Sequence, residues 1–206
     1  MEASFPLLFA AVVGFGHAFE ADHLVAVGNI VTKRDKLYLA IKDGIYWGLG
    51  HTSTIFLIGL IMIIGRATFL NGYFGYFEAG VGLMLIVLGI VRLYQYFRSE
   101  KRMADLVVAE NNHHLAYGVG LIHGLAGSGA MILLVMTEIQ GSFNSMVYLL
   151  IFGIGSVIGM LVAAGIFSLP FSKRITNNQG LQLVLVILSS LLCIGYGGYV
   201  LVENLI

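Results

Sequence analysis

Residues 16–23 combine four ionisable side chains with an apolar setting, and these side chains are His17, Glu20, Asp22 and His23. They interrupt a long hydrophobic run over residues 5–31. An ionisable side chain inside a bilayer is costly and is therefore interpreted first as functional. Imidazole and carboxylate groups together are ligands for divalent transition metals such as nickel, cobalt or zinc. The stretch predicts an intramembrane metal site.

A regular helix could not bring all of these groups to one ion. At about 100° per residue, the side chains of His17 and Asp22 would be about 140° apart, and those of His17 and His23 about 240° apart. The rise from His17 to His23 would be about 9 Å, whereas a metal–nitrogen bond is about 2 Å. Glu20 would lie between the two histidines on one face. We therefore expect the helix to be interrupted between Gly14 and His23, or some of these side chains to support the ligands instead of binding the ion.

Two further histidines are candidates for the same site. His51 lies near the start of a second apolar segment and is followed by three hydroxyl residues, 52–54, which can bond to their own helix or to a neighbouring one. We predict that His51 approaches the first cluster as a ligand; a histidine hydrogen-bonded between helices is the alternative. His123 precedes a glycine-rich stretch that contains Ser128. His123 and Ser128 are second-tier candidates, which would lie beside the metal site. The alternative is that this stretch is a helix-packing motif.

Other polar positions have simpler interpretations. Glu78 and Glu138 lie near the ends of apolar segments, where their side chains can extend to the interface. Residues 111–114 contain two histidines that could receive metal, although a polar loop is the favoured interpretation. Cys193 is the only cysteine in the sequence. A thiol–disulfide electron carrier needs a pair of cysteines, so this class of membrane protein is disfavoured.

The composition is that of a polytopic membrane protein. The chain has 206 residues, of which 58% are hydrophobic and 11% charged, and its mean hydropathy is +0.91. A soluble domain has about 25% charged residues. The net charge is zero, which gives no basic surface for nucleic acid. We expect an all-α protein whose surroundings are the lipid bilayer.

Six apolar segments are long enough to cross a membrane, given that a spanning helix needs about 20 residues. They cover residues 5–31, 44–65, 73–97, 115–139, 145–169 and 179–202. Of the eleven Lys and Arg residues, all except Arg66 lie in or close to the loops 32–43, 98–114 and 170–178. The positive-inside rule places these loops in the cytoplasm and both termini outside. The first segment lacks a basic n-region, so we interpret it as a retained helix and not as a signal peptide.

The two halves of the chain share short motifs. His17 follows Gly-Phe-Gly, and His123 follows Gly-Leu-Ile; the Gly-Leu-Gly of residues 48–50 is echoed by the Gly-Ile-Gly of residues 153–155. With three spans in each half, the second half would be upside down relative to the first, as in many transporters. We predict one transmembrane domain over residues 1–206, built as a 3+3 inverted repeat of residues 1–110 and 111–206.

These motifs carry a resemblance to a known family. The His17-x4-Asp22-His23 pattern resembles the His-x4-Asp-His signature of the nickel/cobalt transporters, and residues 49–53 are similar to the second, Gly-His-Ser/Thr-rich motif of that family. Residues 120–129 resemble the short, urease-accessory branch of UreH-like membrane proteins. The Phe-Asp-Thr-Ala-Thr-Glu motif of the longer members and their additional N-terminal span are missing from this sequence. The resemblance implies permeation of nickel or cobalt, with His17, Asp22, His23 and His51 as ligands.

We therefore predict a permease, not an enzyme, that carries Ni²⁺ or Co²⁺ across the cytoplasmic membrane of a prokaryote into the cytoplasm. The metal is the transported substrate, and no prosthetic group is expected. No phosphate-binding loop of the Gly-x4-Gly-Lys-Ser/Thr kind occurs. The membrane potential would supply about 4.6 kcal/mol per 100 mV to a dication moving inward. A second copy of the chain and a cytoplasmic metallochaperone are candidate partners. The alternatives are efflux of the same metals, movement of another ion, and a non-transporting accessory protein for the maturation of nickel enzymes.

Overall fold

The computed structural model describes residues 4–32, 34, 36–65, 72–99, 113–126, 139, 141–171 and 179–205. Within these ranges the regular structure is entirely helical, so the all-α class is confirmed. The α-helices are α1 (Ser4–His17), α2 (Ala21–Val31), α3 (Leu37–Gly65), α4 (Phe74–Ser99), α5 (His114–Ala126), α6 (Ser142–Ser168) and α7 (Gln179–Leu205), and a short 3₁₀ helix, Leu169–Phe171, extends α6.

Four of these helices are long and apolar enough to cross a membrane. The candidate spans are Leu37–Ile63, Phe74–Arg98, Ser142–Phe171 and Gly180–Leu205. The helices α1 and α2 meet at an angle of 56° and make a fifth candidate if the bent pair is one span. The sequence predicted six spans, whereas the described residues contain four to five. Most of the second half of the predicted segment 115–139 lies outside the described residues.

One predicted boundary differs from the structure. Helix α3 begins at Leu37, well inside the loop predicted for residues 32–43. The early start of α3 takes Asp43 into the helix, where it is buried. Asp43 Oδ1 accepts hydrogen bonds from Arg34 Nη2 at 2.9 Å and from His113 Nδ1 at 2.6 Å. Because the charge has these partners, burying it is tolerated and the helix can extend beyond the apolar run.

Helices α3 and α5 approach each other closely at two glycines. A Cβ atom at Gly120 would lie 2.1 Å from the Trp47 carbonyl oxygen, and one at Gly50 would lie 2.3 Å from the Tyr117 carbonyl oxygen. Any larger residue would force the backbones apart. Small residues therefore set the distance between the helices, as they commonly do in membranes.

Helices α1 and α6 are in equally close contact. A Cβ atom at Gly14 would lie 2.0 Å from the Phe152 carbonyl oxygen, and one at Gly155 would lie 2.2 Å from the Ala11 carbonyl oxygen. Helix α6 also packs along α3, so α1, α3, α5 and α6 form one group, while α4 packs along α7. This arrangement brings the C-terminal end of α1 close to the middle of α3.

Hydroxyl side chains link the same helices. The Thr52 hydroxyl donates to the Gly153 carbonyl at 3.1 Å, and the Thr54 hydroxyl donates to the Leu121 carbonyl at 2.9 Å. The Ser53 hydroxyl bonds within α3, to the Leu49 carbonyl. The hydroxyl residues after His51 therefore bond to their own helix and to neighbouring ones, as the sequence predicted.

Candidate metal centre

The centre is built on the break between α1 and α2. Helix α1 ends at His17, and the next two backbone bonds form tight turns: Phe19 N–H donates to the Gly16 carbonyl at 2.9 Å, and Glu20 N–H to the His17 carbonyl at 3.1 Å. Glu20 is extended, with φ −65° and ψ 155°, and α2 begins at the next residue. The interruption predicted between Gly14 and His23 is confirmed. Its consequence is that His17 and His23 are freed from the spacing of one helix.

Four histidines converge beside this break. His17 is the last residue of α1, His23 is in the first turn of α2, His51 is in the middle of α3, and His123 is in the last turn of α5. The His17 ring centroid is 4.5 Å from that of His23 and 5.2 Å from that of His51. The His23 centroid is 5.1 Å from that of His51 and 4.2 Å from that of His123. His51 therefore approaches the first cluster, as predicted.

The two carboxylates of the motif hold three of these rings. Asp22 accepts hydrogen bonds from both His23 Nδ1 and His123 Nε2, each at 2.9 Å. Glu20 Oε1 is 2.9 Å from His17 Nδ1. An ionised carboxylate can only accept, so the ring nitrogen that faces it carries the proton. The other nitrogen of each neutral ring then keeps a lone pair for a metal, which is the usual way in which carboxylates orient metal-binding histidines.

The remaining ring nitrogens are buried without a hydrogen-bond partner among the described residues. They are His17 Nε2, His23 Nε2, His123 Nδ1 and both nitrogens of His51. His17 is 5% exposed, and the other three histidines are fully buried. Buried polar atoms are normally satisfied, so a group of unsatisfied ones calls for an explanation such as an ion.

The geometry of three of these rings is close to that of a metal site. His17, His23 and His51 each offer a nitrogen within 4.8 Å of the other two. Two nitrogens bound to one ion at about 2.1 Å are at most about 4.2 Å apart. Small rotations of the rings are therefore enough to form a three-nitrogen site.

A second group overlaps the first. Asp22, His23 and His123 also offer ligand atoms within 4.8 Å of one another. His23 belongs to both groups, so an ion at one position and an ion at the other would share a ligand. The negative charge of Asp22 lies beside the second position. The arrangement therefore offers a position with three imidazoles and, once the ring protons that bond to Asp22 are released, an adjacent position with a carboxylate.

Aromatic side chains enclose the histidines. The Trp47 ring centroid is 5.5 Å from that of His23 and 5.8 Å from that of His123. Phe152 on α6 covers the His17 ring at 5.4 Å. These residues were not predicted as part of the site, although Trp47 lies four residues before His51 and so on the same face of α3. The apolar enclosure excludes water and strengthens the interaction between the ligands and a charge.

The structure brings six of the predicted residues into one cluster. They are the predicted ligands His17, Asp22, His23 and His51 and the second-tier residues Glu20 and His123. Ser128 and Glu138 lie outside the described residues. His113, predicted as part of a polar loop, is buried and bonds to Asp43 instead of being free to receive metal.

Comparison with known proteins gives three relatives. The chain is 31% identical, over 176 residues, to the urease accessory protein UreH of Bacillus sp. (strain TB-90), an alignment that covers 81% of this chain and 77% of that protein. It is 27% identical over 114 residues to the nickel transporter NixA of Staphylococcus aureus (strain NCTC 8325 / PS 47), covering 45% of this chain and 32% of that protein. It is 25% identical over 113 residues to the nickel transporter NicT of Mycobacterium tuberculosis (strain ATCC 25618 / H37Rv), covering 44% of this chain and 30% of that protein.

The chain thus spans about a third of the length of the two nickel transporters. No protein-family model matches the sequence. No solved structure matches it either.

Proposed function

We propose that this chain, which belongs to the family of UreH-like urease accessory proteins and is related to the nickel/cobalt transporters, carries Ni²⁺ or Co²⁺ through the cytoplasmic membrane of a prokaryote into the cytoplasm. It is an integral membrane protein, and its relatives are transporters and accessory proteins. The metal is the cargo. Its ligands in this proposal are His17, His23 and His51, with Asp22 supplying the charge and two of the hydrogen bonds.

The observation that carries the proposal is the set of free nitrogens on three converging, buried histidines. A structural role in packing would leave each ring satisfied by a partner. Here the carboxylates bond to one nitrogen of His17 and to one of His23. The other nitrogen of each ring has no hydrogen-bond partner among the described residues. Nickel and cobalt accept imidazole and carboxylate ligands together.

Neutral imidazoles suit a carrier because the ion must also leave. Three nitrogens would replace part of the water shell of the ion, and Asp22 would offset part of its charge. The second group, with His23 shared, gives the ion a neighbouring position without complete release. In this scheme His123 and Asp22 accept the ion from the three-histidine position, or deliver it there.

We also propose six spans, in which α1 and α2 form a single broken span and the predicted segment 115–139 is the fourth. Broken helices at a binding site are typical of transporters with inverted repeats. The halves in this proposal are residues 1–110 and 111–206, with both termini outside. The order of the Lys and Arg residues along the loops supports this orientation.

Matching contacts in the two halves support the repeat. When the halves are aligned on His17 and His123, Gly14 corresponds to Gly120. The contact of Gly120 with α3 is then matched by the contact of Gly14 with α6. A second pair of contacts also matches, because Phe15 corresponds to Leu121 and Thr54 to Gly159. Thr54 donates to the Leu121 carbonyl on α5, and a Cβ atom at Gly159 on α6 would lie 2.6 Å from the Phe15 carbonyl on α1.

Uptake of radioactive nickel into proteoliposomes that contain only this chain tests the proposal. With an inside-negative potential, we expect uptake by the wild type and a loss of at least tenfold in His51→Ala, which removes one ligand. His114→Ala is the matched control, because His114 is an exposed histidine at the start of α5. Absence of uptake by a folded, correctly inserted wild-type protein would contradict the proposal, and so would equal uptake by His51→Ala.

A second candidate is a membrane protein that binds nickel and hands it to a partner without moving it across the bilayer. The name of the UreH relative, a urease accessory protein, favours this candidate. It predicts metal binding without uptake in proteoliposomes. Efflux would appear in the same experiment as loss of nickel from preloaded vesicles when the orientation of the protein is controlled.

A further inference from the structure

A polar cavity of about 410 Å³ opens beside the break between α1 and α2. Four acidic side chains line it, and these are Glu20, Asp22, Glu78 and Glu203. The other lining residues are Ala21, Val81, Tyr196, Val200 and Asn204. None of the described residues that line the cavity is a lysine, arginine or histidine.

The cavity lies at one end of the helix pair α4 and α7. Glu78 is in the first turns of α4, and Glu203 is in the last turn of α7. One turn deeper the two helices touch, because a Cβ atom at Gly82 would lie 2.7 Å from the Gly197 carbonyl oxygen. In the orientation proposed above, this end of both helices faces the outside of the membrane, opposite the loops that are rich in Lys and Arg.

Two side chains belong both to the cavity and to the metal centre. Glu20 lines the cavity and bonds to His17, and Asp22 lines it and bonds to His23 and His123. Directly behind these carboxylates are the free nitrogens of His17 and His23, on side chains that are at least 95% buried. Glu20 and Asp22 therefore link the cavity to the histidine cluster, because each of them lines the cavity and also bonds to a histidine of the cluster.

The charge and size of the cavity suit a hydrated dication. Four like charges in a partly enclosed space raise the local concentration of cations, because the walls of low dielectric focus the field. Six waters at about 30 Å³ each occupy about 180 Å³. The cavity therefore has room for an ion that still carries its first shell of water.

We propose that this cavity is the entrance to the metal centre, and that Glu78 and Glu203 capture the hydrated divalent cation before it loses water to the histidines. The inference rests on the proposed function and adds the route and two residues to it. Glu78 was interpreted from the sequence as an interfacial residue. In the proposal it is instead part of an acidic vestibule formed by Glu20, Asp22, Glu78 and Glu203.

The first test measures the association of Co²⁺ with the purified protein in detergent by stopped flow. The double variant Glu78→Gln/Glu203→Gln removes two charges and keeps the shape of the side chains. We expect its association rate constant to fall by about three- to tenfold at low ionic strength, with the dissociation rate nearly unchanged. The difference should shrink at high salt, since screening weakens steering.

The control removes two charges elsewhere. Glu100→Gln/Glu110→Gln changes two residues that follow α4 in the sequence, in the Lys- and Arg-containing segment between α4 and α5. This variant should associate with Co²⁺ as fast as the wild type. Glu203→Gln alone, in the last turn of α7, provides a milder variant if the double substitution lowers the yield of folded protein. An association rate of the vestibule variants equal to that of the control overturns the inference.

The second test separates this inference from the proposed function. Nickel uptake by the double variant should show a rise of about three- to tenfold in KM with little change in the maximal rate. If the wild type binds Co²⁺ but transports no nickel, the proposed function fails while the association rates still test the vestibule. If uptake occurs and the KM and association rate of the double variant match those of the wild type, the vestibule fails and the proposed function stands.

Discussion

Replacing Asp22 by asparagine should weaken metal binding far more than replacing Glu20 by glutamine. Each change removes one negative charge and keeps the shape of the side chain. In the structure Asp22 accepts hydrogen bonds from two histidines, His23 and His123, whereas Glu20 contacts one, His17. The Glu20 side chain is 57% exposed, and that of Asp22 is 20% exposed.

These contacts give the expected magnitude. Loss of a carboxylate that orients a metal-binding histidine typically costs 10–100-fold in affinity. Asp22 orients two histidines in a mostly buried position, so Asp22→Asn should raise the dissociation constant for Co²⁺ by about 100-fold or more. Glu20 orients one histidine, and water screens its charge, so Glu20→Gln should raise the constant by about tenfold or less.

The dissociation constants would be measured by competition with a chelator, using protein purified in detergent and Co²⁺ as the probe. The thermal unfolding of both variants without metal serves as the control for folding. Nickel uptake at matched membrane levels should follow the same order. A larger loss in Glu20→Gln than in Asp22→Asn would refute the reasoning, because it would place the essential charge on the exposed carboxylate.

Two further predictions concern the packing that holds the centre together. Gly120→Ala should lower the free energy of unfolding by about 1–3 kcal/mol, because its methyl group would lie against the Trp47 carbonyl. Gly118→Ala on the same helix is the control, since a Cβ atom there meets nothing within 4 Å, and it should be neutral or slightly stabilising in thermal unfolding. Asp43→Asn should destabilise the protein by about 3–5 kcal/mol in the same assay, because it removes the negative charge from the nearly buried ion pair with Arg34. A normal melting temperature of either Gly120→Ala or Asp43→Asn would contradict its prediction.

The sequence was sufficient to predict that the helix is interrupted within the motif that contains His17 and His23. The four ionisable residues could not share one ion on a regular helix, and the geometry of a helix is known in advance. The break at residues 18–20 follows from that conflict. The approach of His51 was also predicted, because the end of the first predicted span and the start of the second lie near the same side of the membrane.

Other features could not be predicted, because they depend on which helices are neighbours. The distance between His23 and His123 depends on backbone contacts at Gly120 and Gly50. The sequence alone does not show which helix packs against a given glycine. The vestibule joins Glu78 to Glu203, residues on two different helices, and the sequence placed Glu78 at an interface. Asp43 was assigned to a loop because the apolar run begins after it, whereas pairing with Arg34 allows α3 to start earlier.

The central claim is that His17, His23 and His51 bind one divalent ion through ring nitrogens. X-ray absorption spectroscopy of the Ni²⁺- or Co²⁺-loaded protein measures the number of imidazole ligands and their distance from the metal. We predict three imidazoles with metal–nitrogen distances of about 2.0–2.1 Å in the wild type, and two in His51→Ala. A metal shell made only of oxygen ligands, or one that is unchanged in His51→Ala, would contradict the claim.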